Sequence, residues 1–268
     1  MDATVARPAR SRDAEGATVF ARHAFAPNSL GYCGPAHSDS LFEYAVTGRS
    51  DSEVARLATE FSGAWPYLRL IARSAGIDDP LDRRVVEAYW IGSPLLERIE
   101  PVTFGEAVME RFKQQCGPRW GMVAEAIEAG ASPHHNFHVF TVYPWLGMLM
   151  TGPVEQPLKV LDQCRIRWGQ VEALAGDTAA IRSEPLEWRG GRLILGPERL
   201  ETATVAVNGA AMVSDLRVGD WVSLHWHWVC DRLTRRQLST LRYYTQRLLA
   251  IANGAVRSSS EATFSTRH

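Results

Sequence analysis

The side chains best suited to chemistry in this chain are four cysteines, Cys33, Cys116, Cys164 and Cys230, and eight histidines. No two cysteines stand as a C-x-x-C pair. The spacing of a zinc knuckle is therefore missing, and each thiol acts singly as ligand, nucleophile or packed hydrophobe. Ser132-Pro133-His134-His135-Asn136-Phe137-His138 holds three of the histidines. In a helix opened by Pro133, His134 and His138 stand at i, i+4 on one face, a spacing that holds a single metal ion. In a strand they would lie ~13 Å apart, so this reading requires helix. Its alternative is a polar loop with hydrogen-bonded neutral histidines. A second cluster is Gly31-Tyr32-Cys33-Gly34-Pro35-Ala36-His37, a rigid turn around a thiol. Cys33 and His37 are candidates for a nucleophile pair, or for joining the histidine cluster. The alternative is a tight turn with a packed thiol.

The elements that must position these groups change character near residue 155. Before it the periodicity is helical. Ser50-Asp51-Ser52-Glu53 reads as a capping box ahead of Val54, Leu57, Ala58, Phe61, Trp65 and Leu68, a stripe at i, i+3, i+4. Asp79-Pro80 and Thr103-Phe104-Gly105-Glu106 read as two further helix starts, and Cys116-Gly117-Pro118 as a stop. Trp120 to Ala129 is a helix closed by Gly130, and Pro144 limits whatever Ser132-Pro133 opens. Beyond Glu155 short strands are expected over Arg165–Leu174, Thr178–Trp188, Arg192–Leu195, Thr202–Val207 and Trp221–Trp228, with glycine turns between them. Leu233 to Ala252 then reads as an amphipathic helix ended by Gly254. The expected fold class is α+β: a flexible leader (1–16), an all-α domain (17–155), a small OB/SH3-like β-barrel with a C-terminal helix (156–254), and a disordered tail (255–268).

Two pieces of the strand-rich part belong together. Cys164-Arg165-Ile166-Arg167-Trp168-Gly169-Gln170-Val171 opens it, and Val218-Gly219-Asp220-Trp221-Val222-Ser223-Leu224-His225 closes it. Cys, an apolar strand and Gly-x-Val, followed later by Val-Gly-Asp-aromatic-Val-x-x-His and a helix, resembles the HypC/HupF/HybG-type maturation chaperones of nickel–iron hydrogenases. The resemblance covers roughly residues 160 to 250. It implies a barrel that presents Cys164 and His225 to iron, as an Fe(CN)2CO-type cargo. It also implies a HypD-like maturation protein or the hydrogenase large-subunit precursor as partner. A thiolate suits low-spin iron with cyanide and carbonyl ligands, and an imidazole adds a second donor. In that family the cysteine follows the initiator methionine, whereas Cys164 is internal. The helical part resembles an uncharacterised bacterial family associated with hydrogenases.

His227 stands two residues from His225, so in a continuous strand both point to one face, with Trp226 and Trp228 on the other. A different reading makes the helical part an enzyme. There a metal or haem at His134 and His138, near Cys33, would act on a small molecule, for example in making a diatomic ligand. A third reading is a plain binding module. Composition narrows the field: 46% hydrophobic and 22% charged residues are ordinary for a globular chain, and a net charge of -1 gives no field for nucleic acid. Arg232, Arg235, Arg236, Arg242 and Arg247 read as a solvated or docking face. No apolar run reaches the ~20 residues of a membrane span, and no secretory signal is visible, so the expected compartment is the cytoplasm.

Overall fold

The computed structural model describes residues 12–36 and 39–265. Most of the expected leader, and His37, lie outside the described residues. Residues 12–16 do not: they open α1 (Arg12–Ser29), a helix the sequence reading did not anticipate. Its Ala-rich face buries Ala17, Phe20, Ala21 and Ala24. Gly16 lies so close to the next loop that an added Cβ would meet the Leu81 carbonyl at 1.8 Å, so only glycine fits there.

After α2 (Asp39–Thr47), the helix α3 (Ser52–Thr59) is capped by Asp51, whose carboxylate accepts from the backbone N–H groups of Glu53 and Val54. The long stripe expected from Val54 to Leu68 is two helices. The chain turns at Phe61, and α4 (Trp65–Ala75) starts with Pro66 in its first turn. Asp79-Pro80 does not start the next helix. Asp82 caps α5 (Arg83–Trp90) instead, while Asp79 accepts from the N–H of Leu81. The Pro101–Cys116 helix, α6, begins two residues before the expected Thr103 cap, because Pro101 supplies a favourable first position. It ends at Cys116 as expected. α7 (Trp120–Glu128) follows, with Gly130 at φ 88° behind it. Then come a single turn, α8 (His135–Phe137), a π-helical turn over His138–Val142, α9 (Trp145–Thr151) and α10 (Glu155–Cys164).

Strands fill the next part, as expected, with shifted ends. They are β1 (Arg167–Ala175), β2 (Thr178–Ser183), β3 (Leu186–Arg189), β4 (Arg192–Leu195), β5 (Arg199–Thr204), β6 (Ala206–Val207), β7 (Ala210–Ala211), β8 (Trp221–His225) and β9 (Trp228–Arg232). Five of them are hydrogen-bonded in the order β1-β2-β5-β9-β8, and β8 pairs back onto β1, so the sheet closes on itself. Val171, Ile181, Ala203, Val222, Leu224 and Val229 fill its interior. β3–β4 and β6–β7 are separate hairpins.

The last helix, α11 (Arg235–Ser265), does not stop at Gly254 but continues to Ser265, within the stretch expected to be a disordered tail. A glycine inside a helix costs about 1 kcal/mol relative to alanine, which does not break a helix with no proline after it. The described part of α11 buries Leu238, Leu241, Tyr244, Leu248 and Leu249. These residues, the inner faces of α1 to α10, and Trp226, Trp228 and Cys230 belong to one continuous core.

Helices and sheet are fastened by Asn136, which is fully buried. Its Oδ1 accepts from the Ile166 N–H at 2.8 Å, and its Nδ2 donates to Thr245 Oγ1 at 2.9 Å. One amide thus holds the entry to β1 and the middle of α11. Asn136→Leu strands those groups in the interior. The expected cost is about 3 kcal/mol, since each unsatisfied buried polar group costs roughly 1–3 kcal/mol. Urea unfolding followed by tryptophan fluorescence and by far-UV circular dichroism checks this. Because the core is shared, wild type should give one coincident transition in both probes, at a higher urea midpoint than the variant.

Candidate metal centre

Cys164 ends α10, His225 ends β8, and His135 opens α8. One ligand atom from each lies within 4.8 Å of the others, and all three residues are buried. Cys164 and His225 are the two residues the sequence singled out from opposite ends of its opening and closing patterns. His135 is new. An ion bound ~2.0–2.3 Å from each donor would draw the side chains inward by roughly 1 Å.

The surroundings of each donor fix what it can offer. His225 Nδ1 donates to the carbonyl of His23 in α1 at 2.6 Å, so its Nε2 carries a lone pair. That Nε2 is buried and has no hydrogen-bond partner. A histidine held through one nitrogen by a backbone carbonyl, with the other free, is arranged as metal-ligating histidines are. His135 Nε2 donates to the Cys164 carbonyl at 2.9 Å, so its Nδ1 accepts from the Tyr89 hydroxyl at 3.1 Å. Tyr89 has a second acceptor in reach, the Gly63 carbonyl at 3.1 Å, so its bond to His135 is exchangeable. His23 is itself held: Nδ1 donates to the Val19 carbonyl at 2.9 Å, and Nε2 meets Ser223 Oγ at 3.1 Å. The unanticipated helix α1 therefore sets the aim of His225.

The turn after His225 is under strain. His225 and Trp228 are paired, leaving Trp226-His227 as a two-residue hairpin loop with Trp226 at φ 54°. Glycine, not tryptophan, is the residue suited to that conformation. It persists because Tyr32 stacks on the indole at 4.4 Å, the Trp226 N–H donates to the Gln163 carbonyl at 2.7 Å, and buried Arg167 donates to the Trp226 carbonyl. Such strain beside a cluster of donors is characteristic of functional sites. The turn also ends the strand alternation, so His227 is exposed and does not share the direction of His225 as a continuous strand would require. Trp226 and Trp228 are buried among the helices.

A cavity of about 260 Å³ opens onto the three donors. Cys33 and His138 line it as well, together with Tyr89, Trp90, Tyr143 and Trp226. It has no Asp, Glu, Lys or Arg in its lining, among the described residues. Burial accordingly pushes the Cys164 thiol up, with the Cys33 thiol adding to the effect, and pushes Cys33 up to about 12. Both are thiols, not thiolates, until a cation displaces the proton.

The expected His134/His138 pair does not form. His134 is the extended cap of α8, at φ -107° and ψ 148°, rather than a helical residue. Its Nδ1 accepts from the Asn136 N–H, and its ring stacks on Tyr244 outside the cavity lining. His138 instead enters the π-helical turn and meets the Tyr67 hydroxyl through Nδ1 at 3.0 Å. Cys33 reaches the cavity, while its proposed partner His37 lies outside the described residues. Helical spacing selected the two flanking histidines, and the cap geometry turned the middle one inward. Cys116 and Cys230 are buried in the core and do not line the cavity. Among the described residues no helix is long and apolar enough to cross a membrane.

Burial lowers the pKa of His23 to about 4 and of His134, His138 and His225 to about 3, and holds His135 well below its ordinary value. An unfolded histidine titrates near ~6.5. Between that value and the folded pKa the unfolded chain binds more protons, so stability is complete above pH ~6.5 and falls as the pH drops toward 3–4. Each histidine removes roughly 1 kcal/mol per pH unit in that window. Urea midpoints at pH 7.5, 6.5, 5.5 and 4.5 should fall with growing steepness, and in a double His134→Gln, His138→Gln variant, which leaves three of these five buried histidines, the fall should be about three-fifths as steep. Equal slopes in variant and wild type would assign the acid sensitivity elsewhere.

No curated protein matches the chain, and no solved structure does. One family model does match, over residues 12–259, which takes in α1, all the strands, the three candidate ligands and most of α11. The chain belongs to the DUF6390 family, a family of unknown function.

Proposed function

We propose that this chain is an accessory protein of nickel–iron hydrogenase maturation that takes an iron cargo, as an Fe(CN)2CO-type unit, at His135, Cys164 and His225. The observation that carries the reading is the convergence of Cys164 and His225, chosen from the two ends of the HypC-like pattern, to within 4.8 Å of each other and of His135. The closed five-stranded sheet, followed by a helix, is consistent with the small barrel of that family. Three protein donors also suit such a cargo: with two cyanides and one carbonyl they fill the six positions of octahedral iron. The cavity of about 260 Å³ holds three diatomic ligands, each comparable in size to the ~30 Å³ share of a water molecule in the liquid.

The reading differs from the family in how the cargo is presented. An N-terminal cysteine at a barrel edge can be pushed into a partner's cleft, whereas Cys164 is only 6% exposed and lines a cavity within the chain. The cargo unit is therefore kept within this chain, and delivery to a HypD-like protein or the large-subunit precursor requires opening near Tyr32 and Trp226. A second reading has its own support. Cys33 and His138 line the same cavity, which favours metal-dependent chemistry on a small molecule over simple carriage. In that reading the centre is His135/Cys164/His225 rather than His134/His138.

Protein purified anaerobically after co-expression with the hydrogenase maturation machinery should show infrared bands in the cyanide and carbonyl stretching region. Those bands should vanish in Cys164→Ala and in His135→Ala. Metal analysis of the same samples separates the readings. Bound iron with both bands supports the cargo, a stoichiometric metal with no bands supports the small-molecule chemistry, and protein free of metal overturns the two together.

A further inference from the structure

Three N–H donors around the cavity have nothing to donate to. Trp90 Nε1, Trp226 Nε1 and His138 Nε2 are all buried and lack a hydrogen-bond partner, and all three residues line the cavity. An indole N–H can only donate. The state of His138 follows from its neighbour. The Tyr67 hydroxyl meets only His138 Nδ1, at 3.0 Å, among the described residues. The phenol proton is satisfied only if Nδ1 accepts it, so Nε2 carries hydrogen and is a donor. Space is kept open beside that hydrogen. A Cβ on Gly63 would sit 3.1 Å from His138 Nε2 and 3.5 Å from the Tyr143 hydroxyl.

Desolvated donors left unpaired are costly, and native interiors contain few of them. Three around one chamber, with no charged side chain in its lining, describe a site that wants an acceptor, while the unpaired acceptor beside them, His225 Nε2, is the atom assigned to the metal. Neutral N–H groups alone do not balance the charge of a buried anion, but a metal on His135, Cys164 and His225 would.

We infer that this cavity is a pocket for a small acceptor-only anion of the cyanide, azide or formate class, seated on the metal and hydrogen-bonded by Trp90 Nε1, Trp226 Nε1 and His138 Nε2. This deepens the metal-centre reading and rests on it. Under that reading the anions are the cyanides of the cargo, whose nitrogen ends accept hydrogen bonds. The metal supplies charge, and the donors select what it may carry. A ligand that presents only apolar atoms or donors to these groups is disfavoured, because they would stay unpaired.

The test uses the full chain, loaded anaerobically with cobalt(II), whose thiolate charge-transfer bands report the centre, and titrated with azide. Azide should shift the spectrum saturably. Trp226→Phe keeps the ring over Tyr32 but loses the N–H, and His138→Leu loses the second donor. Each should weaken azide binding about tenfold, the size of one charge-assisted hydrogen bond, while still binding one cobalt. His138→Gln, which retains an N–H, should recover part of the loss. Gly63→Ala, which removes no donor but fills the space beside Nε2, should weaken azide as well and guards against a folding artefact in the other variants. A cobalt spectrum that azide leaves unchanged, or azide bound equally well by wild type and all variants, overturns the anion pocket and leaves the metal centre standing. Failure to bind cobalt at all overturns both.

Discussion

Two hydrogen bonds between neighbouring residues hold this molecule's site in register. His135 Nε2 donates to the Cys164 carbonyl, and the Ile166 N–H donates to Asn136 Oδ1. Residues 135–136 are thereby fixed against 164–166, a strand entering a closed sheet against a single turn of helix. Everything at the centre depends on that register. It brings a histidine from the helical half alongside a cysteine from the helix that leads into β1. With both ends buried, the geometry is set by satisfied polar groups as well as by apolar packing. A helix-to-sheet contact built on hydrophobic area alone tolerates sliding, whereas paired donors and acceptors do not.

The third donor is held by a different device. His225 is aimed by the His23 carbonyl of α1 and closed off by a strained two-residue turn. The turn in turn depends on Arg167, which is buried, ion-paired with Glu201 at 2.9 Å, and bonded to the Trp226 carbonyl. Truncating Arg167 would leave Glu201 without its partner in a largely desolvated position, so this arginine is committed to the frame rather than to chemistry. Arg165 plays the matching part with Asp162 on the other side of Cys164. Both guanidinium groups are held by carboxylates, and neither lines the cavity that the Cys164 thiol faces. Their charge is already matched, which is consistent with burial dominating the Cys164 pKa.

Much of the fold was legible in the residues because local signals and tertiary demands agreed. The strands announce themselves by alternation and by glycine turns, and Cys116 and Gly130 mark helix ends where the sequence puts them, while the cap of α3 falls on Asp51, one residue past the Ser50 that opens the expected box. The misreadings occur where the local signal is weak or overridden. α1 is rich in Ala and contains Gly16 and Pro27, so nothing periodic marks it, and the Gly31 turn that closes it, with N–H groups of Gly31 and Tyr32 donating to the carbonyls of Asn28 and Pro27, reads in the sequence only as a turn around Cys33. Gly254 is a stop signal that a long amphipathic helix simply absorbs. At the site, Cys164 and His225 were found because a resemblance links distant positions. His135 was not, because helical spacing pairs His134 with His138, and no local rule says that the cap of a three-residue helix will turn the residue between them toward a cysteine far along the chain.

The placement of Cys164 carries the functional argument furthest. A terminal cysteine at a barrel rim is free to be inserted into another protein, and its ligand set is completed by that partner. In this chain a third donor, His135, lies beside Cys164 and His225, and the helical half packs over all three. Exposed residues line the cavity at Tyr32, which is stacked on Trp226 and whose loop is held by the Asn28 amide, and at Gln115 and Pro144. Solvent therefore reaches the cavity past the side chains of the Tyr32 loop and of the Pro144 turn rather than through the core.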